Sequence, residues 1–167
     1  MTGSDTPSTD RLIEVTLDEA GLAVPTPEIE QERKVAIHDL LEDNVFGIPS
    51  RDGKDIPPGP YKLRLAVRER RLVFEVATEA GGEAGEVHLA LTPFNQVIRD
   101  YFQICESYFD AVKHLPPAQI EAIDMGRRGI HNEGSRLLME RLDGKITTDA
   151  ATARRLFTLI CVLHFKG

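Results

Sequence analysis

Residues 61–76 read YKLRLAVRERRLVFEV, and this stretch decides the fold. On both sides of Glu69-Arg70, apolar side chains recur at every second position, and most of the positions between them are charged. A period of two is typical of a strand with one buried face and one solvated face. Glu69-Arg70 predicts a tight turn between two such strands, although it lacks the Asn-Gly chemistry that two-residue hairpins prefer. The stretch therefore predicts an antiparallel hairpin.

Two further segments show the same alternation. Val87, Leu89 and Leu91 follow a glycine-rich loop at residues 78–85, and Ile13, Val15 and Leu17 mark a first strand. The sequence thus predicts a four-stranded, mainly antiparallel sheet. We interpret the polar side chains on its solvated face as a solubilising surface, comprising Lys62, Arg64, Arg68, Arg71, Glu75, Glu86 and His88.

Helical patterns occupy the rest of the chain. Thr26-Pro27 and Thr92-Pro93 each predict a helix start, with the threonine as N-cap and the proline in the first turn. A further helix follows Pro116-Pro117, and Thr148 or Asp149 caps a last one. Residues 156–165, LFTLICVLHF, are apolar nearly all round, which favours a central buried helix, with a buried strand as the alternative. The prediction is an α+β fold in which four helices, the last three consecutive, pack mostly on one face of the sheet.

The length favours one domain. We expect residues 1–10 to be a disordered leader and residues 11–167 to form a single α+β domain. The segment GIPSRDGKDIPPGP at residues 47–60 is rich in proline and glycine, and it predicts a flexible loop inside the fold.

Composition excludes several classes of function. The net charge is −7, and residues 1–50 hold eleven acidic residues against three basic ones, which makes non-specific nucleic-acid binding an unfavourable expectation. No apolar run approaches the ~20 residues that a membrane span needs, and residues 1–10 lack the features of a secretory signal. Cys105 and Cys161 lie in apolar helical patterns and are expected to be reduced core residues. We expect a cytoplasmic protein.

One segment carries most of the candidate chemistry: RRGIHNEGSRLLMERL at residues 127–142. Helical spacing places Asp124, Arg128, His131 and Ser135 on one stripe at the border of an apolar face, with Arg127 beside it and Glu133 pointing away. Gly134 falls in the apolar stripe, where it lets a partner helix approach closely. The predicted ligand-binding residues are Arg127, Arg128, His131, Asn132 and Ser135.

Two other interpretations of this segment stay open. Gly126 and Gly129 weaken a helix, so residues 126–132 can instead form a loop, with Asn132 as N-cap of a second helix. Arg127, Arg128 and His131 lie close together in both geometries. The simplest alternative is a ladder of helix-surface ion pairs without a ligand.

Metal and cofactor motifs are incomplete. Cys161 and His164 have ligand spacing but lack further ligands for a tetrahedral site. His131 and Glu133 match half of a zinc-deaminase motif whose cysteine half is missing. No phosphate-binding or dinucleotide-binding glycine motif occurs. We expect neither a metal nor a cofactor.

Two functions follow from these residues. The first is a non-enzymatic regulatory or adaptor domain that binds an anionic group of a protein partner or small ligand through Arg127, Arg128 and His131. The alternative is a small hydrolase or transferase acting on a phosphate ester, with His131 as general acid or base and Asp124 or Glu133 orienting its ring. A homodimer formed through the apolar helical layer is a further possibility.

Several blocks of the sequence resemble an uncharacterised bacterial protein family of unknown function. The blocks are RLIEVTLDE, VAIHDLLEDN, GPYKLRL, RRGIHNEGSRLLMERL and TARRLFTLICVLHFKG. The resemblance extends from Arg11 to the C-terminus and implies a cytosolic bacterial protein. It implies no activity, ligand or catalytic residue.

Overall fold

A computed structural model describes residues 9–19, 23–49 and 55–165. Its elements follow the predicted order of strand, helix, strands and helices. They are β1 (Leu12–Leu17), α1 (Pro27–Glu42), β2 (Phe46–Gly47), β3 (Tyr61–Arg68), β4 (Arg71–Thr78), β5 (Glu83–Ala90), α2 (Asn95–His114), α3 (Pro117–Leu142), β6 (Thr147–Thr148) and α4 (Ala150–Leu163).

The main sheet has the strand order β1-β3-β4-β5. The β3–β4 and β4–β5 pairings are antiparallel, whereas β1 runs parallel to β3. The parallel pairing is possible because α1 carries the chain back across the sheet between β1 and β3. The sheet is therefore mixed, with two of its three pairings antiparallel, and the predicted α+β class is confirmed.

Helix α4 lies in the centre of the core. Every residue from Leu156 to Leu163 is buried, and α4 contacts α1, α2, α3 and β3. The helical interpretation of LFTLICVLHF is thus confirmed for residues 156–163, and the strand alternative is wrong. Tyr61, Leu63 and Leu65 on β3 belong to the same hydrophobic cluster, so the helical layer packs against the apolar face of the hairpin.

Two of the predicted helix N-caps are present in the structure, and a third is not. The Thr26 hydroxyl accepts a hydrogen bond from the Ile29 N–H at 3.2 Å, and the Asp149 carboxylate accepts one from Thr152 at 2.8 Å. The predicted cap at Thr92 is wrong. Residues 92–94 form a single 3-10 turn, and α2 begins at Asn95 without a side-chain cap.

A small two-stranded ladder between β2 and β6 has no sequence signal. Phe46 pairs with Thr148 and Gly47 with Thr147, about one hundred residues apart in the chain. Asn44, directly before this ladder, accepts a hydrogen bond from the Leu12 N–H at 2.7 Å and donates to the Leu12 carbonyl at 3.0 Å. The end of α1 is thereby fastened to the beginning of β1.

Helix α3 is continuous from Pro117 to Leu142, so the loop alternative for residues 126–132 is wrong. Gly134 faces α4, where a Cβ atom would lie 2.5 Å from the Phe157 ring. The expected close approach of a partner helix is therefore present. A Cβ at Gly129 would meet nothing within 4 Å.

Three expectations fall partly or wholly on residues that the structure does not describe. The predicted leader lies outside the described residues up to position 8, and the loop at residues 47–60 lies outside them at positions 50–54. The assignment of residues 11–167 to one domain stays a prediction. Within the described ranges, no helix is both long and apolar enough to cross a membrane.

Candidate functional site

A groove of about 1240 Å³ opens between α1, α3 and α4. We call it the α1–α3–α4 groove. Asp124 and all five predicted ligand-binding residues line it, whereas Glu133 does not. The other side chains that define it come from α1 (Glu32, Val35, Ala36, Asp39), from α3 and the turn after it (Arg136, Met139, Glu140, Asp143) and from α4 (Ala150, Ala151, Arg154, Arg155, Thr158).

The Arg127 side chain of α3 also contacts α1 and α2 and so joins three helices. Its guanidinium donates to Glu32 Oε1 of α1 at 3.1 Å and to Asp124 Oδ1 at 2.9 and 3.2 Å. It also lies over the Tyr108 ring of α2, with Cζ 4.3 Å from the ring centroid. Because its charge is matched by two half-buried carboxylates, little of it is left for an external anion.

Arg128 is the exposed member of the pair. One nitrogen, Nη2, lies 2.9 Å from Asp124 Oδ2, and the side chain is 66% exposed. This contact confirms the predicted ion pair four residues apart on α3. An exposed pair of this kind contributes little to stability, so the remaining N–H groups of Arg128 are free to face a ligand in solvent.

The His131 ring is packed into an aromatic wall. It contacts the edges or faces of Tyr101 and Phe157 at centroid distances of 5.4 and 6.3 Å. Burial, together with repulsion from Arg154 and Arg127, lowers the pKa of His131 from 6.5 to about 4. Attraction to Asp124 opposes this shift. At neutral pH the imidazole is therefore uncharged.

Thr158 fixes the orientation of the His131 ring. Its Oγ1 donates to the Arg154 carbonyl at 3.3 Å and lies 3.3 Å from His131 Nδ1. A hydroxyl has a single proton, so with that proton on the carbonyl the imidazole donates from Nδ1. The groups expected to orient a catalytic histidine are engaged elsewhere, since Asp124 binds two arginines and Glu133 is outside the groove.

Asn132 and Ser135 have different positions in the α1–α3–α4 groove. Asn132 is exposed and accepts a hydrogen bond from Arg154 Nη1 at 3.3 Å. Ser135 is buried, and its hydroxyl donates to the Ala150 carbonyl at 3.0 Å. Ser135 therefore joins α3 to the start of α4, and its only proton is already used.

Three arginines of the groove were missed by sequence reasoning. Arg136, Arg154 and Arg155 all line the groove, and none has a carboxylate within 4.0 Å among the described residues. Arg136 could have been found, because it continues the spacing of four that joins Arg128 and Asn132 on α3. Arg154 and Arg155 could not, because only the packing of α4 against α3 brings them to this place.

The two cysteine thiols are held in their protonated forms, whereas the Asp124 carboxyl group is ionised. Burial, with the nearby Glu32 carboxylate, raises the pKa of Cys105 to about 12, and burial raises the pKa of Cys161 as well. Hydrogen bonding from Arg127 lowers the pKa of Asp124 despite partial burial. Asp124 is thus an ionised partner for arginines, and neither thiol is activated.

The possible metal ligands lie on α1, and of these only Asp39 lines the groove. His38, Asp39 and Glu42 on α1 form a group of three close enough to share an ion among the described residues. His38 and Glu42 are exposed and lie 3.6 Å apart, which an ordinary surface pair explains. Cys161 is fully buried in α4, so it cannot join His164 in an open metal site.

Fold and groove together define an α+β protein with a mixed sheet and an arginine-lined groove on its helical side. The chain belongs to the uncharacterised protein family UPF0262, whose profile matches residues 9–166. The predicted family resemblance is thereby confirmed.

The relatives cover nearly the whole chain. A UPF0262 protein of Roseobacter denitrificans is 68% identical over 157 residues, which is 94% of this chain and 99% of the relative. Proteins of Dinoroseobacter shibae and Paracoccus denitrificans are 68% and 65% identical, covering 92% and 93% of this chain and 97% and 96% of the relatives. No solved structure matches this chain. The names of these relatives state no ligand or partner, so function is argued from the groove.

Proposed function

We propose that this protein is a non-enzymatic regulatory or adaptor domain that binds an anionic group of a partner in the α1–α3–α4 groove. The observation that carries the proposal is a set of groove arginines, Arg136, Arg154 and Arg155, that have no carboxylate within 4.0 Å in the part of the chain that the structure describes. A guanidinium group offers several N–H donors in one plane and suits phosphate and carboxylate oxygens. Such groups on the wall of a groove favour recognition of an anion.

The residues assigned to binding differ from those expected at first. Arg128 lies on α3 and Arg154 on the neighbouring helix α4, and both line the groove. Asn132 of α3 accepts a hydrogen bond from Arg154. We assign ligand contact to these three residues, and Arg136 and Arg155 add positive charge to the groove wall around the anion. Arg127 positions the walls through Glu32 and Asp124, and His131 contributes a neutral, partly buried surface beside the anion.

Binding is favoured over hydrolysis by the surroundings of His131. A general acid must be protonated at working pH, whereas the pKa of His131 is lowered to about 4. A general base is normally oriented by a carboxylate, but His131 Nδ1 faces the Thr158 hydroxyl. These contacts support a binding surface rather than an acid–base centre.

Calorimetric titration with inorganic phosphate, citrate and a nucleoside diphosphate tests the proposal. We expect heat with at least one of these anions and a loss of affinity of about tenfold or more in Arg154→Gln, since each charge-assisted hydrogen bond contributes roughly 1.5–3 kcal/mol. Arg141→Gln is the matched control, because Arg141 is exposed on the same helix as Arg128 but lies outside the groove. Arg141→Gln should bind like the natural chain.

Two results would overturn the proposal. One is the absence of heat with all three anions, and the other is an affinity that Arg128→Gln and Arg154→Gln leave unchanged.

The pH dependence of anion binding separates the role of His131 from that of the arginines. The natural chain and His131→Gln should show the same change of affinity between pH 6 and 8, because His131 is neutral throughout that range and only the anion changes its ionisation. A rise in affinity toward pH 6 that disappears in His131→Gln would return the binding role to a cationic His131.

A further inference from the structure

The edge of the sheet at β5 is open over the described residues. β5 is the last strand of the order β1-β3-β4-β5, and none of the described backbone hydrogen bonds joins it to an element other than β4. The opposite edge is covered at its beginning, where Asn44 bonds to Leu12 and the Phe46 N–H donates to the Asp10 carbonyl. The β1 edge of the sheet is thus partly covered, whereas the β5 edge is open over the described residues.

The hairpin register shows which backbone groups of β5 face outward. Arg68 and Arg71 flank the two-residue turn and form its hydrogen-bonded pair. Hydrogen-bonded pairs alternate along an antiparallel ladder, so Phe74 of β4 turns toward β5 and bonds with Val87. It follows that Glu86 and His88, on either side of Val87, direct their N–H and C=O groups away from β4.

We propose that β5 pairs antiparallel with β5 of a second copy of this chain, about a two-fold axis at Val87, to form a continuous eight-stranded sheet. Three central registers satisfy the outward hydrogen-bond pattern, with the axis at Glu86, Val87 or His88. An axis at Glu86 places two carboxylates directly opposite each other, which destabilises the pair. An axis at His88 leaves both carboxylates without an imidazole opposite. An axis at Val87 places each Glu86 opposite His88 of the other copy.

The pairing of Glu86 with His88 therefore selects the register and the partner. Within one chain, His88 Nε2 already lies 2.8 Å from Glu86 Oε2, and both side chains are exposed on the solvated face. In the pair, each carboxylate lies between two imidazoles, and this arrangement is the same when the copies are exchanged. β5 also contains no proline or lysine, the residues that commonly prevent edge pairing.

Light scattering and sedimentation of the full chain over a range of concentrations test the proposal. We expect a mass twice that of the 18.6 kDa chain. His88→Pro removes an outward N–H while leaving the β4–β5 ladder bonds in place, because proline is tolerated on an edge strand. This variant should be monomeric with an unchanged circular dichroism spectrum. A natural chain that stays monomeric, or a dimer that His88→Pro leaves intact, overturns the proposal.

A charge exchange tests the register independently of proline. Glu86→Lys should weaken dimerisation about tenfold, because two cross-strand pairs are lost per dimer. The double variant Glu86→His with His88→Glu restores both pairs and should restore the affinity. Glu14→Lys makes the same charge change on an exposed position of β1 and should have no effect. Failure of the double variant to recover affinity rejects the axis at Val87.

Discussion

Gly134 marks the closest approach of α3 and α4. An alanine Cβ there would lie 2.5 Å from the fully buried Phe157 ring, which has no space to move aside. Gly134→Ala should therefore lower the free energy of unfolding by about 1–3 kcal/mol. Gly129→Ala, five residues earlier, should raise it by about 0.5–1 kcal/mol, because open space surrounds that position and alanine favours the helix. Urea denaturation measures both, and shifts of the same sign would contradict the packing described.

Arg127 and Arg128 are adjacent in sequence but have opposite roles. Arg127→Ala leaves Glu32 and Asp124 half-buried with fewer partners, and we expect a loss of roughly 2–3 kcal/mol of stability. Arg128→Ala should change stability by less than about 0.5 kcal/mol, because Arg128 is exposed. Thermal denaturation distinguishes the two. Equal losses would show that Arg128 is also structural, which would remove it from the proposed binding surface.

His131 should make the protein less stable in acid. Its folded pKa of about 4 is below its ordinary value of 6.5, so between these values the unfolded chain binds a proton that the folded chain does not. This contribution to stability is complete above pH 6.5 and is lost as the pH falls toward 4. We expect a loss of roughly 2 kcal/mol across the window, measured as the difference between the natural chain and His131→Gln. His38→Gln, at an exposed histidine, should follow the natural chain.

Sequence reasoning about single positions was correct where both contacting residues lie on the same helix. Helical spacing alone placed Asp124 within reach of Arg128, and the two are 2.9 Å apart. It failed where the contact depends on a residue of another helix. Glu32 of α1 takes up the charge of Arg127, and Phe157 of α4 takes part in burying His131. Neither contact has a signal in residues 127–142.

At the scale of elements, the β3–β4 turn has residues that its geometry disfavours. Glu69 and Arg70 have φ angles of 51° and 62°, in the left-handed region that glycine and asparagine adopt more readily. Replacing them with Asn-Gly should raise stability by about 1 kcal/mol, measured by thermal denaturation. Ala80→Gly, in the next turn at a residue without positive φ, serves as the control and should not stabilise. No gain from Asn-Gly would mean that the turn conformation differs from the one described.

Elements with a strong internal period were predictable, and those that depend on distant partners were not. The alternation in β3, β4 and β5 and the buried pattern of α4 both correspond to the structure. The parallel direction of β1 has no local cause, because it depends on α1 crossing the sheet. The β2–β6 ladder exists only because residues about one hundred positions apart meet. Thr92 resembles a cap, but a 3-10 turn precedes α2.

At the scale of the whole molecule, the charge distribution explains why the groove differs from its surroundings. The chain carries −7 overall, whereas the lining of the α1–α3–α4 groove is formally neutral, because five arginines there balance five acidic residues (Glu32, Asp39, Asp124, Glu140 and Asp143). The binding we propose should therefore weaken with salt as a local ion-pairing effect. The affinity for the best-bound anion should fall as sodium chloride is raised, as measured by calorimetry. An affinity independent of salt would mean that the ligand is held by other contacts.

The burial of α4 determines stability along the whole chain. A chain ending at Thr148 lacks the helix that α1, α2, α3 and β3 all contact, and we expect it to be unfolded. Circular dichroism and a one-dimensional proton spectrum check this expectation. A cooperative thermal transition in the shortened chain would contradict it.

The same position of α4 also matters during synthesis. A ribosome synthesises α4 after all the elements that pack around it, so the nascent chain exposes the apolar surfaces of α1, α3 and β3 until α4 has emerged. The β3–β4–β5 meander, whose contacts are local, can form earlier. The helical layer therefore assembles only after α4 has left the ribosome, and the interval before that is when the chain most needs protection from aggregation.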